Sequence, residues 1–220
     1  MKLKNIHIED IEDVIVKIEK SFQIQFENNE LKEVKTFGDL CYAFKMKIDL
    51  KNSDDCTSQQ AFYKLRKAIS ETTIINKDQI NQDINLETLF PKKRRRRNIK
   101  KLEKNLGFQL SILSPKQSTI NGISCLFFVF FITLFFSWKI GVLGIIIALF
   151  SFVFAYKTAN TLNVKTIKDL IYKTKKENYL NARRNKKTFN KKEIDTIIID
   201  LFSDYLDLDK KLLTKDAELY

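Results

Sequence analysis

The run KKRRRR, Lys92 to Arg97, is the densest concentration of chemically committed side chains in this sequence. Six consecutive cations attract phosphate, whether it belongs to a lipid headgroup or to a nucleic acid. Lys100, Lys101 and Lys104 extend the run, so Lys92–Lys104 holds nine Lys/Arg against one acid. A second window, Lys173–Lys192, has the same ratio and includes Arg183, Arg184, Lys186 and Lys187. The whole chain carries a net +12, which these two windows more than account for, and residues 193–220 hold eight acids against three lysines. The sequence is that of a neutral to acidic protein wearing two basic bands.

Other reactive residue types lack the company that chemistry requires. His7 is the single histidine, and no serine, cysteine or carboxylate accompanies it in a triad-like arrangement. It reads as a residue at a helix start. Cys41, Cys56 and Cys125 are odd in number and form neither a CxxC nor a Cys/His cluster, which argues against a disulfide framework or a zinc site and fits reduced thiols. Five glycines are present, without a GxGxxG or GxxxxGK phosphate loop, and HExxH and GxSxG are absent. The expectation is a protein with no catalytic, metal or cofactor-binding residues, and not an enzyme.

The elements around the basic bands explain them. Between Ile120 and Tyr156 the only formal charge is Lys139. Ile120–Trp138 is 19 residues, about 28 Å as a helix against a hydrocarbon core of about 30 Å. Ile140–Tyr156 is 17 residues, about 25 Å and at the short end of the usable range. The segment SWKIG, with Trp138 and Lys139, is expected to form the turn between them at a membrane interface. A buried soluble hairpin would show a polar stripe, and CLFFVFFITLFF has none. Lys and Arg crowd both outer flanks while the turn offers one lysine, so both flanks are expected in the cytoplasm. The anionic-lipid contacts expected on this reading are Lys92, Lys93, Arg94, Arg95, Arg96, Arg97, Lys100, Lys101, Arg183, Arg184, Lys186 and Lys187. Nucleic acid is the weaker reading, because aromatic residues for stacking bases are missing from the basic run.

The chain also repeats itself. VKTFGDL (Val34–Leu40) and VKTIKDL (Val164–Leu170) share five of seven residues. KIEKSFQIQF (Lys17–Phe26) matches KLEKNLGFQL (Lys101–Leu110), and INKDQINQDINL (Ile75–Leu86) matches LDKKLLTKDAEL (Leu208–Leu219) in pattern. Thr36 and Thr166 are each followed three residues later by an aspartate, a capping-box-like helix start. Apolar residues at Ile8, Ile11, Val14, Ile15, Ile18 and Phe22, and again at Ile194, Ile197, Ile198, Leu201, Phe202 and Tyr205, fall on helical stripes. In the second copy the whole apolar stretch lies between the KLEK and VKT units, so it reads as an insertion into a small helical domain.

IEKSFQIQFENNELKEVKTFGDL resembles the second half of an acyl carrier protein, with a helix, an acidic turn and a TVGDL-like start to the last helix. AFYKLRKAISETTIINKDQINQDINLETLF and EIDTIIIDLFSDYLDLDKKLLTKDAELY resemble that family's first helix and the long loop after it. The resemblance implies small four-helix bundles. It also implies phosphopantetheine on a serine at the start of the second helix, but the corresponding positions here are Ile8 and Lys92, and no Asp-Ser-Leu occurs.

The expected fold is therefore all-α: two small carrier-like four-helix bundles and a transmembrane helical hairpin. Residues 1–50 with 190–220 form one bundle, circularly permuted, in which Met1 and Tyr220 lie close together. Residues 57–114 with 160–176 form the other, 119–157 the hairpin (helices at about 120–138 and 140–156), and 177–189 a basic linker. The expected function is that of a non-catalytic scaffold or docking protein in the inner membrane, with both termini cytoplasmic. It offers degenerate carrier-like domains to a cytoplasmic protein partner, a partner that the resemblance places in lipid or acyl metabolism. The alternatives are a membrane-bound protein that handles an acyl chain, and a nucleic-acid tether. A domain-swapped homodimer would satisfy the same apolar faces between two chains.

Overall fold

The structure, a computed structural model, describes residues 6–27 and 29–219. Met1 and Tyr220 lie outside the described residues. The fold is all-α, its strands being two residues long. In chain order the elements are α1 (Ile8–Phe22), α2 (Phe37–Lys47), β1 (Lys51–Asn52), α3 (Thr57–Thr73), α4 (Leu86–Leu89), α5 (Arg95–Leu106) and β2 (Leu113–Ser114). Then come α6 (Gln117–Thr133), α7 (Trp138–Lys157), β3 (Thr161–Leu162), α8 (Ile167–Glu177), α9 (Tyr179–Ala182), β4 (Thr188–Phe189) and α10 (Lys191–Leu206). The chain divides into two compact units, one of Met1–Lys67 with Lys168–Tyr220 and the other Ala68–Ile167.

The first unit has one apolar core. α1 turns Ile11, Val14, Ile15, Ile18 and Phe22 inward, and α10 meets it with Ile194, Ile197, Ile198, Leu201 and Phe202. Three- and four-residue spacing puts each set on one side of its helix. Ile8 and Tyr205, the outer members of the two stripes, are exposed. α2 adds Phe37, Leu40, Cys41 and Phe44, and the Phe37 ring stands edge-on to Phe202 at 5.2 Å. Burying aliphatic side chains of this size stabilises by about 1.5–3 kcal/mol each, so the α1–α10 contact holds this unit together.

α2 starts with a complete capping box. The Asp39 amide donates to Thr36 Oγ1 at 3.1 Å, and the Thr36 amide donates to Asp39 Oδ2 at 2.9 Å. The chain after α10 returns to this same helix start. Phe37 N donates to Ala217 O at 2.8 Å and Leu219 N to Lys35 O at 3.0 Å, and Ala217 and Leu219 are buried.

Residues 177–189 are not a linker. They fold as α9 and β4 and place Tyr179, Leu180 and Phe189 in the core of the first unit, with Tyr179 against Phe22 at 4.7 Å. β4 pairs in parallel with β1. The apolar residues among the cations, Tyr179, Leu180, Ala182 and Phe189, pull the segment inward. The grouping of the chain shifts with it. Most of α3, from Thr57 to Lys67, and all of α8 after its first residue belong with the first unit rather than with residues 68–114.

In the second unit the chain enters α6 directly after β2 and leaves α7 just before β3, and β2 and β3 pair antiparallel, with Ser114 opposite Thr161. α6 and α7 pack against each other. The turn between them lies at residues 134–137, not at the SWKIG segment, Ser137–Gly141, of which only Ser137 falls in it. Leu134, Phe135 and Phe136 make tight three-residue hydrogen bonds back to Phe131, Ile132 and Thr133, while Trp138 opens α7. Neither Trp138 nor Lys139 breaks a helix, so both sit comfortably in its first turn. A Cβ on Gly144 would collide with the Phe130 ring, and one on Gly141 would meet the Leu134 backbone, so these two glycines set how closely the helices approach. The outward faces are apolar and uncovered, with Phe128, Phe131, Ile132, Phe150 and Phe154 all exposed.

The sequence repeats recur as repeated hydrogen bonds, each set within its own unit. Glu19 accepts from the Phe26 amide at 2.6 Å, and Glu103 accepts from the Leu110 amide at 2.8 Å. Ser203 Oγ donates to Leu208 O, and Ser70 Oγ to Ile75 O, both at 2.7 Å. Phe37 N to Ala217 O has its counterpart in Ile167 N to Ile84 O at 3.1 Å, and Leu219 N to Lys35 O in Leu86 N to Lys165 O at 2.8 Å.

Candidate membrane interface

The expected lipid contacts divide into buried and exposed members. Arg95 is 4 % exposed. Its Nε donates to Phe90 O at 2.8 Å, its Nη1 to Asn160 O at 2.8 Å, and its Nη2 to Glu87 Oε1 at 3.0 Å. Arg183 is 0 % exposed, with Nη1 donating to Thr57 Oγ1 at 2.6 Å and to Asp55 O at 3.3 Å, and Nε and Nη2 reaching Thr188 Oγ1. Both are structural cations, with little or no surface to offer a headgroup. Their removal from the contact set is a correction to the sequence reading, since a guanidinium can be buried where its fork of donors is filled.

Lys92, Lys93, Arg94, Arg96, Arg97, Lys100 and Lys101 remain exposed in the second unit. In sequence the run stands well before the apolar stretch, but the fold brings it to the end of α7. Asn160 Nδ2 donates to Lys92 O at 3.0 Å, Arg95 reaches Asn160 O, and Arg96 Nη2 donates to the carbonyl of Lys157. Lys157 is the last residue of α7, so Arg96 also meets the negative end of that helix's dipole. The basic start of α5 is thereby fastened beside the place where the apolar helices begin and end. Arg184, Lys186 and Lys187 are exposed in the first unit, where Lys186 Nζ donates to Asn181 Oδ1 at 2.8 Å.

The two positions that would carry a prosthetic group offer no attachment chemistry. Ile8 is exposed at the first turn of α1, after His7, whose side chain makes no capping bond. Lys92 is exposed in the turn before α5.

A polar node in the first unit escaped the sequence reading. Tyr179 Oη donates to Glu193 Oε2 at 3.1 Å and accepts from the Asn190 amide at 2.8 Å. Glu193 Oε1 accepts from the Thr57 amide at 3.3 Å and pairs with Lys175 at 3.1 Å. Burial raises the Tyr179 phenol above its ordinary range. Lys64 Nζ donates to the carbonyls of Asn181 at 2.6 Å and Arg183 at 2.9 Å, and burial lowers its pKa. Beside the node, a cleft of about 260 Å³ is lined by Cys56, Gln59, Gln60, Tyr63, Arg184 and Asn185. Cys56 and Cys125 are exposed, whereas Cys41 is buried, its thiol pushed up to about 12 by burial and then by Asp195. Among the described residues no group of His, Cys, Asp and Glu is placed to hold a metal ion.

α7 is long and apolar enough to cross a membrane, and α6, at 17 residues, is shorter. No family model, curated protein or solved structure matches this chain.

Proposed function

We propose that this chain is a non-catalytic, membrane-anchored docking protein, in which an apolar helix pair carries helical bodies that meet a protein partner in the cytoplasm. The observation that carries this reading is the uncovered apolar surface of α6 and α7 together with the cationic start of α5 fastened at their base. Exposed aromatic and aliphatic side chains on this scale are what a bilayer accommodates. The Lys/Arg excess beside the base favours the cytoplasmic side for it and for both termini, as in a bacterial inner membrane.

The helical bodies are read as degenerate carrier-like bundles, the first with permuted chain order. The shared core of α1, α2 and α10 supports that reading, as do the matched hydrogen bonds of the two repeats. With isoleucine and lysine at the carrier positions, the bundles serve as binding surfaces rather than as acyl shuttles.

Alkaline carbonate extraction and two reporter fusions test the anchor. The chain should stay with the membrane; a reporter after Tyr220 should be active in the cytoplasm, and one at Lys139 should be inactive there. Release by carbonate, or a Tyr220 fusion active outside, overturns the reading. The intact mass of the purified chain tests the carrier question: an added phosphopantetheine would make it an acyl carrier.

A further inference from the structure

A second cleft, of about 190 Å³, opens where α5, the strand before α6 and the end of α7 meet. Its floor is apolar, built from the buried Ile99, Ile112 and Ala159. Its charged lining consists of Arg96, Lys100, Lys157 and Glu103. Glu103 is engaged, its Oε1 accepting from the Leu110 amide at 2.8 Å. Arg96 is held at the rim by its bond to the Lys157 carbonyl, and Lys100 follows one helical turn later. Among the described residues none of the three cations makes an ion pair. The acid–base balance of the lining is thus left positive. Tyr156, exposed on the last turn of α7, also lines the cleft, and tyrosine favours the headgroup level of a bilayer.

We infer that this cleft is a site for the phosphate of one anionic phospholipid, distinct from the diffuse attraction exerted by the rest of the basic run. The cations line a concavity with an apolar floor, at the end of an apolar helix, and Arg96 is pinned there. Such basic pockets beside membrane helices take phosphate headgroups, and a pinned guanidinium with free N–H groups suits phosphate oxygens geometrically. Lys92, Lys93, Arg94 and Arg97 carry the same charge but lie outside the cleft, so charge alone does not define the site.

The inference rests on the membrane-anchor reading and is tested on the full chain purified in neutral detergent. Native mass spectrometry is run with added phosphatidylglycerol, with phosphatidylcholine, and with inorganic phosphate as competitor. One phosphatidylglycerol should be retained in preference to phosphatidylcholine by about tenfold or more, the scale of one to two cations near a headgroup. The double variant Arg96→Gln/Lys100→Gln should lose that preference, while Arg94→Gln/Arg97→Gln, with the same loss of charge, should keep it. Helical content by circular dichroism checks that each variant is folded, and Lys100→Gln alone serves if the double variant is not. Equal loss in both double variants, or no lipid preference, overturns the site while leaving the anchor standing. Displacement of the lipid by millimolar inorganic phosphate assigns the cleft to free phosphate and overturns the lipid assignment. Release of the chain by carbonate overturns the anchor and the lipid site together.

Discussion

Thr57 Oγ1 accepts a hydrogen bond of 2.6 Å from Nη1 of Arg183, which ties the first residue of α3 to a guanidinium with no exposed surface. Its other acceptors in this node, Asp55 O and Thr188 Oγ1, are neutral. The Glu193 carboxylate is reached through the Tyr179 hydroxyl, which accepts from Arg183 and donates to Glu193. Thr57→Val should cost about 1–3 kcal/mol, because it keeps the shape and strands a buried donor. Thr57→Ser keeps the hydroxyl and loses only a buried methyl, so it should cost about 1 kcal/mol, less than the valine. Denaturant unfolding of the detergent-solubilised chain measures both, and equal effects would remove the hydrogen bond from the explanation.

Gly141 should tolerate no side chain. Its Cβ would meet the Leu134 backbone, which cannot swing aside, so Gly141→Val should separate α6 from α7 near their turn and cost about 1–3 kcal/mol as an overpacked contact does. Gly122, with open space around it inside α6, is the control, and Gly122→Ala should keep or raise the thermal midpoint, since alanine is the better helix former by about 0.5–1 kcal/mol. Parallel losses for the two variants would contradict the helix contact described.

The Cys41 thiol should remain inert to thiol reagents in the folded chain at pH 8 while Cys56 reacts. Burial holds it protonated to about 12, against an ordinary value of 9.0. The native state therefore binds more protons than the unfolded state between those values. The stability linked to this thiol is fully present below pH 9 and is lost as pH rises toward 12. Tyr205, raised from 10.0 to about 12 by burial and then Glu177, acts in the same direction. Mass spectrometric labelling at pH 8 and unfolding between pH 8 and 11 report the two effects; rapid modification of native Cys41 would show that the core opens.

The capping box gives the opposite pH dependence. Removing its hydroxyl, Thr36→Ala, should cost about 0.5–2 kcal/mol. The Asp39 carboxyl is held below its ordinary 3.8, first by the Thr36 amide. Its contribution is complete above that value and disappears as pH falls through the lowered one. Asp39→Asn should flatten the acid limb of the stability curve below pH 4, and an unchanged limb would assign the acid sensitivity elsewhere.

Periodicity made α1 and α10 legible, because a stripe of Ile, Val and Phe at helical spacing has one inexpensive way to leave water. The repeats were legible too, since Glu19 and Glu103 keep the same bond in both copies. Residues 177–189 were not. Their charges describe a solvated segment, and only the long-range partners of Arg183 and Tyr179, more than a hundred residues away in Thr57 and Ser21, make burial affordable. Arg95 was hidden for the same reason: in a run of four arginines nothing local distinguishes the one whose donors are met by Phe90, Asn160 and Glu87. The turn at 134–137 was displaced in the reading because Trp and Lys signal an interface but do not end a helix.

Ser114 and Thr161 face each other across the β2–β3 ladder. Opposed residues in an antiparallel pair are about 4.5–5.5 Å apart, so the chain departs and re-enters at practically one point. That makes the apolar hairpin a cassette. Replacing residues 116–159 with a short turn keeps Asn160 for Arg95 and keeps the bonds joining Ile84 and Leu86 to Ile167 and Lys165. One splice therefore separates the apolar helix pair from the rest of the second unit, and the only ties it cuts among those described above are the Arg96 bond to the Lys157 carbonyl and the buried Ala159.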